Sequence, residues 1–348
     1  MKINILWTFV EGPYGGGNQF LLALRERLRQ LGLYEESPLA ADVVIFNSFP
    51  HDRSLFPTAW KLKKCSPNLK LVHRIDGPMS IIRGTEDTSR DIGIYYFNKL
   101  LADGSIFQSQ WSLERNKELG FEIGDQLYKI IINAPNPSIF YTKRRSKCST
   151  EKIKIIASSW SSNMRKGFED YRWMDENIDF SKYEMIFIGN TPVEFQNIKA
   201  IPAVPQQELG AQLRANDMYV SASRYEACSN AVLEAIHCGL PALCFNGSSQ
   251  AETLQGCGAT YNHVREIPEL LEVLWKMAQS GFQETPASFQ QVVDSYIAFC
   301  RSVHEMGRKP KTCSSSAFQS FLSHHAVDQT RIKRISRQVK SWLWPKKI

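Results

Sequence analysis

No apolar run in this chain approaches the ~20 residues needed to cross a bilayer, so no segment reads as a transmembrane helix. No C-x-x-C pair occurs either. The eight cysteines are scattered at positions 65, 148, 228, 238, 244, 257, 300 and 313. This excludes the usual ligand spacing of a zinc site and argues against a disulfide-stapled secreted domain. The glycine spacing G-x-G-x-x-G is also missing, which argues against a nicotinamide dinucleotide fingerprint. There is no internal repeat and no long low-complexity tract; Cys313–Ser316 is only a short polar patch. The first residues, Met1–Trp7, run directly into a strand-like segment without a signal-peptide cleavage pattern. A cytoplasmic location is therefore expected.

The net charge of +7 is unevenly placed. Residues 307–348 hold ten Lys or Arg and a single acid, Asp328, which leaves residues 1–306 with a net charge of −2. The body is close to neutral, so no nucleic-acid partner is expected. Within Arg331–Trp344, Ile332, Ile335, Val339 and Trp342 follow a helical stripe, with Arg331, Lys333, Arg334, Arg337 and Lys340 largely outside it. That composition suits peripheral contact of 331–347 with the anionic inner face of a membrane. It suits equally a solvated end, or a helix docked on the body.

At 348 residues, with 43% hydrophobic and 22% charged content, the chain has room for two ordinary soluble domains. Strand-like runs at Ile3–Val10, Val43–Phe49, Leu69–Ile75, Gly104–Gln108 and Lys129–Ala134 alternate with helix-like runs at Gln19–Leu31, Ser54–Lys64, Ile94–Ala102 and Ser112–Leu119. Asn133–Phe140 breaks the periodicity, a basic stretch follows at Lys143–Lys152, and alternation restarts at Ile153. The expected fold is α/β: two Rossmann-like, doubly wound parallel-sheet domains at 1–142 and 153–282, a linker near 137–152 and a basic tail at 307–348. Such a pair faces a cleft lined by the carboxyl ends of its strands.

Arg224–Pro241 is the segment richest in chemistry. It follows the apolar run Met218–Ser223 and holds Glu226 and Glu234, with small residues Ala227–Asn230 where a helix begins. Gly239 and Pro241 mark where that helix ends. A helix N-terminus offers unpaired N–H groups and a positive dipole end, suited to phosphate. Ser229 and Asn230 are suited to cap it, and Glu234, about one turn inside, would accept hydrogen bonds from sugar hydroxyls. The plain alternative is a strand–loop–helix unit with solvated glutamates.

The segment also resembles the E-x7-E signature of family-4 retaining glycosyltransferases, E-G-x-x-x-x-x-x-E-A-x-A-x-G-x-P. Ala227 stands where Gly is usual and His237-Cys238 replaces Ala-x; Glu226, Glu234-Ala235, Gly239 and Pro241 match. The resemblance covers roughly 1–306 and implies the GT-B fold, with Phe289–Met306 crossing back onto the first domain. It implies transfer of a sugar from a nucleoside diphosphate sugar to an acceptor hydroxyl. Glu234 would then bind ribose, and Glu226 the donor sugar or its developing positive charge. Lys166, before Gly167, looks like the family's Lys-Gly, whose ammonium pairs with the diphosphate; fixed cations stabilise the charge left on the departing phosphate. The family's usual Arg about five residues earlier is Ser161 here, with Arg165 and Arg224 as substitutes. Gly15, Gly16 and Gly17 take the part of the family's glycine loop beside the donor phosphates, Gly189 that of a turn near the base, and Asp76 or His73 that of an active-site group beside the acceptor. Asp87, Arg90 and Asp91 lie downstream as further acceptor-side groups. No Asp-x-Asp occurs, which counts against the metal-dependent glycosyltransferase fold. Neither a metal nor a cofactor beyond the nucleotide sugar is expected. A nucleotide-sugar epimerase of the same fold and a non-catalytic nucleotide-sugar-binding scaffold remain as rival readings.

Overall fold

Most apolar runs of both halves are buried on two faces, as parallel strands covered by helices require. The computed structural model describes residues 1–10, 15–48, 55–142, 152–280, 286–307 and 309–324. In the first sheet, β1 (Ile3–Leu6), β2 (Val43–Ser48), β3 (Lys70–Ile75), β4 (Gly104–Phe107) and β5 (Leu127–Ile130) lie side by side in chain order, all parallel. Five helices connect or follow these strands: α1 (Gly16–Gln30), α2 (Leu55–Cys65), α3 (Met79–Arg83), α4 (Ser89–Leu101) and α5 (Gln110–Glu118). On the outer side of β1, Tyr34 forms a parallel bridge with Ile3. The chain thus leaves β1 to one side and returns to β2 on the other. With right-handed crossovers, that reversal sends helices to opposite faces. Accordingly, Phe20, Leu21, Leu24 and Leu28 of α1 pack with Ile3, Ile5, Val43 and Ile45. On the other face, Phe56, Leu62, Phe97 and Leu101 pack with Val44, Phe46, Leu71 and Ile75. The reversal sits at the carboxyl end of β1, beside Gly15–Gly17, where open α/β sheets bind ligands.

The second sheet contains β6 (Ile153–Ser159), β7 (Tyr183–Gly189), β8 (Lys199–Ile201), β9 (Met218–Ser221), β10 (Ala242–Phe245) and β11 (Gly258–Tyr261), in the order β11-β10-β9-β6-β7-β8. Its strand order reverses between β6 and β9. Around it lie α6 (Phe168–Asn177), α7 (Gln206–Ala215), α8 (Asn230–His237), α9 (Gln250–Leu254) and α10 (Ile267–Ser280). The chain then returns to the first sheet. Helix α11 (Phe289–Glu305) starts with a capping box from Ser288 and Gln291 and buries Val292, Val293, Tyr296, Phe299 and Val303 on the α1 face.

Two sequence expectations need adjustment. β5 ends at Ile130, short of the apolar run Lys129–Ala134, because Ile131 and Ala134 are buried on the α1 face as the chain crosses to the second domain. The segment from 307 is not all tail. Helix α12 (Ser315–His324) docks on the first domain, with Phe318 stacked on Trp60 at 4.7 Å between ring centroids and Phe321 5.8 Å from Phe56. Among its described side chains, Phe318 and Phe321 are the ones buried against the first domain, too few for a clear periodic signal. The basic stripe 331–347 lies outside the described residues. Among the described residues no helix is long and apolar enough to cross a membrane.

Candidate functional site

Strand β9 ends at Ser221 and the chain crosses the mouth of the second sheet before α8 begins. Ser229 is the N-cap, its hydroxyl accepting from Val232 N–H at 3.5 Å. The N-terminus of α1 approaches from the first domain. A Cβ on Gly16 would collide with the Asn230 side chain, so glycine is needed where the two helix ends meet, whereas Gly17 faces open space. Gly15 adopts φ +45°, a conformation that favours glycine. Two positive helix ends therefore converge on one place.

Below them, a short turn at Met164–Lys166 ends in Gly167, whose φ is +79° and whose missing Cβ leaves room for the Ala222 carbonyl. That close packing seats the turn against the end of β9 and brings Lys166 Nζ into a short ion pair with Glu226 Oε1. Glu226 also accepts from Ser223 Oγ at 2.8 Å. Gly189 closes β7 at φ +128°, with a Cβ excluded by the Ser159 carbonyl. Glu234 is 9% exposed, and no described residue donates a hydrogen bond to its carboxylate. Burial alone pushes its pKa up to about 8. Gly15–Gly17, Asp76, Arg165, Lys166, Gly189, Glu226, Ser229, Asn230 and Glu234 all line one cleft of about 480 Å³ between the domains.

On the first-domain side, strand alternation sends His73 and Arg74 to opposite faces. His73 is fully buried, 5.1 Å from the Phe46 ring and 5.7 Å from Phe97, with Nδ1 3.0 Å from Asn98 Nδ2. Burial pulls its pKa down to about 3. The expectation that His73 stands beside an acceptor is corrected: it is a neutral core histidine away from the cleft. Arg74, which the sequence offers with His73 and Asp76 as an active-site group at the end of this strand, lies on the other face. Its guanidinium donates to Tyr296 Oη at 3.0 Å, Asn47 Oδ1 at 2.5 Å, Asn133 Oδ1 at 3.0 Å and Asp76 Oδ1 at 3.1 Å. Asp76 also receives a short hydrogen bond from Gln108 Nε2. Burial raises the Asp76 carboxyl pKa, against the pull of Arg74 and the amide donors. Asn133 Nδ2 donates to Asn230 Oδ1 at 3.1 Å, linking this polar cluster to α8. Asp91 is a buried cap of α3, accepting from Met79 N–H at 2.8 Å and Ser80 N–H at 3.0 Å. Asp87 accepts from Ser89 N–H in the preceding turn, and neither it nor Arg90 lines the cleft.

Both candidates for the missing arginine already hold protein partners. Arg224 points elsewhere, donating to Asp170 Oδ1 at 2.5 Å and lying 3.8 Å from the Phe245 ring. Arg165 lines the cleft, but it donates to the Ile81 carbonyl across the domain boundary at 2.7 Å. Asn47, Gln108 and Asn133 went unrecognised because no local pattern marks an amide that turns inward from a strand end. Among the described residues, no three His, Cys, Asp or Glu side chains converge as a metal site.

No protein-family model matches the chain, and no curated protein matches its sequence. Solved structures do match in shape. Sucrose-phosphate synthase from Thermosynechococcus elongatus is 13% identical with a TM-score of 0.64, over 87% of this chain and 99% of that one. HepE from Anabaena, solved with UDP and glucose, is 13% identical with a TM-score of 0.62, over 87% of this chain and 100% of that one. The lipopolysaccharide outer core galactosyltransferase WaaB is 12% identical with a TM-score of 0.57, over 87% and 99%. At these identities the likeness is one of fold. Two parallel sheets, a crossover helix that returns to the first of them, and a cleft between their strand ends give this chain the GT-B fold.

Proposed function

We propose that the chain is a glycosyltransferase that moves a sugar from a nucleoside diphosphate sugar to an acceptor hydroxyl with retention of anomeric configuration. The observation that carries this reading is Glu234, a carboxylate nine-tenths buried, with no donor among the described residues, lining the cleft one turn inside a helix N-terminus. A vicinal diol such as ribose supplies the donors that the described residues do not. The α1 and α8 N-termini and Lys166 would hold the diphosphate. Its negative charge would compete with Glu226 for Lys166, leaving Glu226 to accept from donor-sugar hydroxyls or face the positive charge that develops at the anomeric carbon. In the transfer, the bond from the anomeric carbon to the phosphate oxygen breaks and one to the acceptor oxygen forms on the same face. The acceptor proton goes to the departing phosphate oxygen. Asp76, fixed by Arg74 and Gln108, orients the acceptor hydroxyl. The complex of HepE with UDP and glucose and the nature of the other matched enzymes support this reading.

A nucleotide-release assay with UDP-, GDP- and ADP-sugars over an acceptor panel tests it. Turnover that depends on an acceptor is expected, and Glu234→Ala should weaken donor binding by about 1–3 kcal/mol. Unchanged donor affinity in that variant would remove Glu234 from the donor site. A second reading, binding without turnover, draws on the neutralisation of Lys166 by Glu226 and on Ser161 in place of a second cation. It predicts nucleotide affinity with no sugar transfer to any acceptor.

A further inference from the structure

Arg165 and its surroundings have the form of a plug and a seat. The arginine stands on the second-domain turn beside Lys166, yet its guanidinium reaches the first domain. There it donates to the Ile81 carbonyl, near the C-terminal end of α3, where the helix dipole favours a cation. Gly84 caps α3 at φ +70°, and a Cβ added there would run into the guanidinium. The seat is therefore shaped by the absence of a side chain as well as by a carbonyl. On its other side the guanidinium lies 4.5 Å from the Tyr225 ring centroid, next in the chain to Glu226. One contact across the domain boundary thus bears on both members of the Lys166–Glu226 pair, one through each chain neighbour.

We propose that Arg165 is a positioning residue that locks the two domains together at the cleft mouth and holds the Lys166–Glu226 pair over the first domain, rather than a ligand of the donor diphosphate. Other cross-domain bonds support the closed arrangement: Ser109 Oγ donates to the Ala227 carbonyl at 2.5 Å, and Gln110 and Trp111 N–H donate to the Glu252 carboxylate at 2.6 and 2.9 Å. Arg165, like Ala227, lines the cleft itself, whereas Ser109, Gln110, Trp111 and Glu252 do not. The role in transfer rests on the glycosyltransferase reading, but the lock does not.

The test uses the full chain with Arg165→Ala, Arg165→Lys, Gly84→Ala and the Arg165→Ala/Gly84→Ala pair. Small-angle scattering without ligand reads domain separation, calorimetry with UDP, GDP and ADP reads diphosphate affinity, and the transfer assay reads turnover. Arg165→Ala and Gly84→Ala should each enlarge the radius of gyration and lower kcat at least tenfold. Nucleotide affinity should fall only together with the change in radius, because α1 parts from α8 and Lys166 as the domains separate. Arg165→Lys, still able to donate to Ile81, should recover most of the loss, and the double variant should be no worse than the worse single one. Arg165→Ala alone preserves the test where the Gly84→Ala variants do not fold, since Gly84 sits at φ +70°. A tenfold or greater loss of nucleotide affinity in Arg165→Ala at unchanged radius would overturn the proposal and return Arg165 to the diphosphate. Unchanged radius and unchanged affinity together would overturn it as well. Failure of the wild-type chain to bind any of the three nucleotides would sink the glycosyltransferase reading, while the scattering comparison would still decide the lock.

Discussion

Glu234 and Asp76 are both carboxylates raised by burial, but their surroundings divide their roles. Asp76 has a guanidinium and an amide as donors; Glu234 has no described donor and sits at about 8 against an ordinary 4.5. A raised carboxyl pKa means that the fold favours the protonated form. This contribution to stability is fully present below about pH 4.5 and is lost as pH rises through 8. At 1.36 kcal/mol per unit the ceiling is about 5 kcal/mol. Glu234→Gln, which is neutral throughout, should therefore match the wild type in thermal unfolding at pH 4.5 and surpass it by several degrees at pH 8.5. Equal melting temperatures at both pH values would show that the carboxyl titrates normally. Asp76→Asn addresses the opposite wall: kcat should fall at least tenfold with nucleotide affinity unchanged, and a loss confined to nucleotide affinity would move Asp76 to the donor side. The contrast between His73 and Arg74 shows why this wall was hard to read in advance. β3 is buried on both faces, so alternation states that neighbours diverge but gives no sign of which one meets the cleft.

The elements around the donor site depend on glycines whose requirements differ. Gly167 combines φ +79° with backbone contact to Ala222, so Gly167→Ala has no side chain to push aside and should cost about 2 kcal/mol or more, displacing Lys166 as well. Gly17 has open space and an ordinary φ, and Gly17→Ala should leave stability within about 0.5 kcal/mol. Chemical denaturation of the two variants checks the contrast; equal losses would refute the packing account of Gly167. The second-domain elements were legible because their signals are local. Ser229, the small residues before α8, and Gly239 with Pro241 lie within one segment, and Lys166-Gly167 follows β6 directly. What stayed hidden is non-local. The seat of Arg165 is formed by Ile81 and Gly84, and Glu252 adds to the Ser109 cap of α5 by accepting from N–H groups 142 and 141 residues away in sequence; no spacing rule connects such groups.

For the molecule as a whole, the placement of charge and the docking of α12 divide the last 42 residues into two parts with different expected consequences. Phe318 and Phe321 are 1% and 5% exposed and complete the aromatic cluster of Trp60, Phe56 and Phe97. Burying a phenylalanine contributes about 1.5–3 kcal/mol. A chain ending at Met306 should therefore unfold several degrees lower than one ending at His324. Removing 325–348 alone breaks none of the described contacts and should leave the melting temperature unchanged, while stripping away seven of the ten Lys and Arg found beyond 306. The full chain should co-sediment with vesicles rich in anionic lipid, more weakly as salt rises from 50 to about 500 mM because screening shortens the reach of each charge. The chain ending at His324 should not sediment, since the body is close to neutral and offers no comparable basic excess. Equal sedimentation of the two forms would remove the membrane role of 331–347, and binding that salt does not affect would assign it to the tryptophans rather than to the charge.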